Sequence, residues 1–85
     1  MASIDELVTA LDANKQAAEE LTAQIEASKQ MAEELVSSAQ SLGAGGVVAA
    51  LQSAKDQIEQ AATQNAATAD QIEQARSAAE AAKHA

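Results

Sequence analysis

Gly43, Gly45 and Gly46 are the only glycines in the 85-residue chain, and they fall together at its midpoint. There is no proline. Glycine ends helices readily and proline breaks them, so this chain carries one interruption and two long tracts that nothing divides. Both tracts are rich in alanine, glutamine and glutamate, the residues that enter helices at least cost, and alanine fills about a quarter of the chain, well above average usage. The expectation is an all-α protein.

The first helix opens with Ser3 and Glu6 three residues apart, the pattern of a capping box, in which each side chain satisfies a free backbone N–H. Asp5 and Glu6 lie where the helix dipole favours negative charge. The helix is predicted from residue 3 to residue 42, a glycine turn over 43–46, and a second helix from Val47 to Lys83. At 1.5 Å per residue each helix is roughly 55 Å long. Near-equal lengths suit an antiparallel two-helix hairpin, coiled-coil-like, forming a single domain over residues 1–85.

A repeat of two heptads supports supercoiling. Asp5-Glu6-Leu7-Val8, Glu19-Glu20-Leu21-Thr22 and Glu33-Glu34-Leu35-Val36 recur in step on the first helix. On the second, Asp56-Gln57-Ile58-Glu59-Gln60-Ala61 returns unchanged as Asp70-Gln71-Ile72-Glu73-Gln74-Ala75. A sustained seven-residue period implies a left-handed supercoil. The large apolar residues place the helix–helix seam along Leu7, Leu11, Leu21, Ile25, Leu35 and Leu42, facing Leu51, Ile58 and Ile72. Folding at the glycines then sets Leu35 against Ala54, Ala32 against Ile58, Leu21 against Thr68, Ala18 against Ile72 and Leu7 against Ala82. Large residues meet small ones, as interdigitation requires. Val8, Met31, Val36 and Val48 flank this seam and form a candidate partner edge. Asn65 on the seam is expected to set register, and Asn14 to mark a wet position.

One large residue per layer makes a thin core for a chain this size, and with no cysteine there is no disulfide to support it. Association is the remaining support: two hairpins combining into a four-helix bundle, as a homo- or hetero-oligomer. The formal net charge of -8 disfavours nucleic acid and anionic lipid, so neither nucleic acid nor membrane is an expected partner. Another protein is. The start Met1-Ala2-Ser3-Ile4-Asp5-Glu6 has neither the basic nor the apolar part of a secretory signal. The chain is therefore expected to be cytoplasmic as synthesised, and secreted only if carried by a partner or a specialised system.

No catalytic, cofactor-binding or metal site is expected. The pairs Glu19-Glu20 and Glu33-Glu34 stand on a solvated helix face with no loop to wrap an ion. The glycine turn lacks the lysine, the Ser/Thr and the preceding strand of a phosphate loop. A single histidine, His84, cannot build a metal site alone.

A short acidic helical hairpin with glycines at its midpoint, here Leu42-Gly43, resembles the WXG-type small proteins associated with type VII secretion. Within that superfamily it is similar to short uncharacterised actinobacterial proteins that share the Met-Ala-Ser-Ile-Asp-Glu-Leu start. The resemblance spans nearly the whole chain. Ser41-Leu42-Gly43 lacks the tryptophan of the family's Trp-x-Gly turn, and the chain has no tyrosine for the family's secretion motif. The resemblance implies an accessory partner or adaptor for a secretion substrate. The rival expectation is a structural spacer or building block in a larger assembly.

Overall fold

The computed structural model describes residues 3–85. It is all-α: α1 runs Ile4–Ser41 and α2 runs Gly45–Lys83, packed antiparallel into a rod whose extents are 63 × 18 × 14 Å. Ser3 caps α1, its hydroxyl accepting from the Glu6 N–H at 3.1 Å, which is the Ser3 half of the expected box.

The turn is tighter than the sequence suggested. Gly43 takes φ +70, the left-handed conformation open to glycine at little cost. Around it the Gly43 N–H donates to the Gln40 carbonyl and the Ala44 N–H to the Ala39 carbonyl, at 3.1 and 3.0 Å. These are the paired bonds of a Schellman motif, which satisfies the last carbonyls of α1. Ala44, at φ -87 and ψ 71, then makes an inverse γ-turn in which the Gly45 N–H donates to the Gly43 carbonyl. The chain has reversed by that point, so α2 begins at Gly45 rather than Val47. Gly45 and Gly46 are helical, and Gly43 alone requires glycine.

The seam also departs from expectation. The buried and half-buried positions of α1 are Val8, Leu11, Lys15, Ala18, Ile25, Lys29, Ala32, Val36 and Ala39. On α2 the seam runs through Val48, Leu51, Lys55, Ile58, Ala62, Asn65, Ala69, Ile72, Arg76 and Ala79. Both series alternate steps of three and four, with Thr22 filling the one gap on α1. Leu11, Ile25, Leu51, Ile58 and Ile72 lie on the seam as expected. Leu7, Leu21, Leu35 and Leu42 do not; they are 50%, 45%, 54% and 83% exposed. Val8, Val36 and Val48, expected at a partner edge, occupy the seam instead.

The two arrangements share one heptad row and differ by a single residue in the other. The observed one differs in where it places the cations. Lys15 and Lys29 on α1, and Lys55, Arg76 and Lys83 on α2, stand at multiples of seven within each helix. In the observed frame Lys15, Lys29, Lys55 and Arg76 stand on the seam, and the charges of Lys15, Lys55, Arg76 and Lys83 reach across it. Lys15 Nζ lies 2.9 Å from Glu73 Oε2, Lys83 Nζ 2.8 Å from Asp5 Oδ1 and Lys55 Nζ 3.8 Å from Glu33 Oε1, and Arg76 Nε meets Asp12 Oδ1. Each step forward along α1 is matched by an equal step back along α2, so one register holds from end to end. In that register Leu7 and Ala82, Leu21 and Thr68, and Leu35 and Ala54 stand side by side on an outer face rather than meeting in the core. Ala18 lies beside Asn65 instead of in a layer with Ile72.

Candidate functional site

The observed frame leaves the hairpin with two unlike faces. Beside the seam on α1 runs the row Leu7, Asn14, Leu21, Ser28, Leu35 and Leu42, and beyond it Ala10, Ala17, Gln24, Met31 and Ser38. The matching rows of α2 are Val47, Ala54, Ala61, Thr68, Ala75 and Ala82, then Ala50, Gln57, Gln64, Gln71 and Ala78. None of these side chains is charged. Every Asp, Glu, Lys and Arg of the chain falls on the seam, at its margin or on the other face.

The large apolar side chains exposed among the described residues are Ile4, Leu7, Leu21, Met31, Leu35, Leu42 and Val47; Ile4 lies at the end of the seam row, and the other six lie on the uncharged face. Scattered exposed apolar residues need no explanation; here six of them share one uncharged side of the rod. Met31, expected at a partner edge, stands at its margin, 62% exposed. Across the middle of the face runs a shallow groove of about 220 Å³, bounded by Leu21, Gln24, Ile25 and Ser28 from α1 and Ile58 and Ala61 from α2. It exists because Ser28 interrupts the leucine row between Leu21 and Leu35.

The opposite face is acidic and ionically cross-linked. Asp12, Lys15, Glu73 and Arg76 form a cluster spanning both helices, with Arg76 also 3.8 Å from Glu73. The hydrogen bond between the Lys15 ammonium and Glu73 raises the lysine pKa and lowers that of Glu73. Asp12 likewise raises Arg76, and Asp5 raises Lys83, in each case first through a hydrogen bond. These groups are solvent-facing and serve to hold two helices together. Among the described residues no group of three or more His, Cys, Asp and Glu is placed to hold a metal ion. No described helix is long and apolar enough to cross a membrane.

Sequence reasoning placed Leu11 and Leu51 correctly on the seam but put Leu7, Leu21, Leu35 and Leu42 there as well, where the structure exposes them. The signal for the correct side was the shared heptad position of the basic residues. Comparison with known protein families, characterised proteins and solved structures finds no match for this chain, which leaves the functional reading to its own residues.

Proposed function

We propose that this chain is a non-enzymatic helical interaction protein that pairs, through its uncharged face, with itself or with a second helical hairpin to complete a four-helix bundle. The observation that carries the reading is the segregation of charge from exposed leucine along the full rod. A surface of that composition loses little by leaving water, since it holds no charge to desolvate, and gains by burying Leu7, Leu21, Leu35 and Leu42. A narrower form of the proposal makes the partner a helical region of a type VII-like secretion substrate, with this chain as its adaptor. It is supported by the hairpin form and the midpoint glycine turn.

The test is sedimentation equilibrium of the wild type and of a Leu21→Glu/Leu35→Glu double variant, with helicity followed by circular dichroism. Both substitutions are at exposed helical positions, so the hairpin itself is expected to survive them. The expected outcome is loss of association in the variant with helicity retained. Association undiminished by the two glutamates would place the interface elsewhere and sink the reading. The narrower form is tested by co-expression with helical secretion substrates encoded beside it, where a stable complex sensitive to the same two substitutions is expected.

A second reading, a rigid spacer in a larger assembly, is favoured by the unbroken register along the 63 Å rod. It predicts open-ended polymers instead of a finite oligomer, and the same sedimentation experiment separates the two.

A further inference from the structure

Resting on that reading, we infer that the occupant of the uncharged face is a second copy of this chain, stacked antiparallel so that Leu21 of each copy seats in the groove beside Ser28 of the other.

The leucine row supplies the argument. Leu7, Leu21 and Leu35 recur two heptads apart, with the small polar residues Asn14 and Ser28 filling the heptads between. When α1 is laid against α1 of a second copy running the opposite way, Leu21 falls on Ser28, Leu35 on Asn14 and Leu7 on Leu42. Every gap in the row then receives a leucine, and the gap at Ser28 opens on the groove of about 220 Å³. The match is self-complementary, as a two-fold interface demands: what one copy inserts, it also receives. On the α2 side the same operation brings Ala54 to Ala75 and Ala61 to Thr68, small residues that let those helices approach closely. A parallel stack sets Leu21 over Thr68, Asn14 over Ala75 and Ser28 over Ala61 of the second copy, so that neither gap in the row receives a leucine.

Area and charge agree with this arrangement. A footprint of 63 by 18 Å offers on the order of 1,000 Å² per copy, above the ~800 Å² per partner of a standard stable interface. A net charge of -8 on each chain would oppose self-association if spread evenly. Stacking the uncharged faces turns both acidic faces outward and keeps them a bundle's width apart.

The chain has no cysteine, so introduced thiols report without interference. Three single variants, Leu21→Cys, Ser28→Cys and Thr68→Cys, are mixed in pairs in a glutathione redox buffer, each first checked for wild-type helicity. The expected result is a 21–28 disulfide between chains that exceeds the 21–21, 28–28 and 21–68 products at least several-fold. A dominant 21–68 product would mean a parallel stack and overturn the inference, while the docking face itself stood. A wild type that stays monomeric to several hundred micromolar would also overturn it and assign the face to a different hairpin. The reading beneath fails separately, if the Leu21→Glu/Leu35→Glu variant associates as the wild type does.

Discussion

Asn65, buried in α2, donates its side-chain amide to the main-chain carbonyl of Ala18 on α1 at 3.0 Å. The same nitrogen donates to the Thr22 hydroxyl at 2.7 Å, and that hydroxyl in turn donates to the Ala18 carbonyl at 3.0 Å. The triad is closed, with both amide hydrogens and the hydroxyl hydrogen used. Sliding one helix along the other by a heptad would bury Asn65 away from these acceptors, at the cost of an unsatisfied buried amide. A single seam asparagine fixes register by this means.

Replacing that residue therefore separates stability from register. Asn65→Ala is expected to cost about 1–3 kcal/mol, through the lost bonds and the space left behind. That corresponds to a fall in Tm of roughly 5–20 °C for a domain of this size. Asn65→Leu is expected to recover stability through apolar contact while loosening register. Thermal melts measure the first effect, and spin-label distances between the ends of α1 and α2 measure the second. An Asn65→Leu variant with both lower Tm and unchanged, narrow distances would contradict the assignment.

The turn glycines should respond in opposite directions. Gly43, at φ +70, would force a Cβ into left-handed backbone, so Gly43→Ala is expected to destabilise by about 1–2 kcal/mol. Gly46 is helical, and a Cβ there would meet nothing within 4 Å. Gly46→Ala is thus expected to stabilise by up to about 1 kcal/mol, by restoring helix propensity and narrowing the unfolded ensemble. Chemical denaturation of the two variants checks both signs at once.

The cross-helix ion pairs predict a one-sided response to pH. Lys15 and Lys83 have raised pKa values, so their contribution is complete below the ordinary lysine value of 10.5 and is lost as pH climbs through the raised ones. Deprotonation also makes an already negative chain more negative, and both effects destabilise. Glu73 has a lowered pKa, so its pair with Lys15 persists until pH falls below the ordinary value of 4.5. Between neutrality and pH 5 the pair survives. The contribution of this pair to the melting temperature is expected to be retained at pH 5, and melting temperatures are expected to be clearly lower at pH 11. A Tm that rose on the alkaline side would rule out these pairs as stabilising contacts.

The hairpin, the boundaries of α1 and the role of Gly43 were all legible because each rests on local chemistry: capping at Ser3, helix propensity, and a left-handed glycine. The choice of seam was not local. Leu7 and Val8 are both close neighbours of Leu11 on the helix surface, and either produces a valid alternation of three and four. Weighing apolar bulk alone favours Leu7. In the structure Lys15, Lys29, Lys55 and Arg76 stand on the seam instead, and Lys15, Lys55 and Arg76 find acids on the other helix. Reading lysine as surface hides that contribution. Asn65 was read correctly as a seam residue, but its partners on α1, Ala18 and Thr22, depended on the very register in question.

Adjacent residues give the sharpest test of that seam. Val36 is 7% exposed against α2, whereas its neighbour Leu35 is 54% exposed on the uncharged face. Val36→Ala removes two buried methyl groups and leaves a small cavity, a loss of about 2 kcal/mol. Alanine's better helix propensity returns about 0.5 kcal/mol of it. The hairpin is therefore expected to lose about 1.5 kcal/mol at every protein concentration. Leu35→Ala removes the larger side chain, yet within one hairpin it gives up little burial and gains slightly in propensity. Its expected effect on the dilute protein is within about 0.5 kcal/mol. At concentrations where copies associate, Leu35→Ala is expected to weaken the complex by about 1 kcal/mol or more, while Val36→Ala acts only through the fold. Urea denaturation at two protein concentrations resolves the pair. If Leu35→Ala were the costlier change in dilute solution, the leucines would be the intramolecular seam and the uncharged face would not exist.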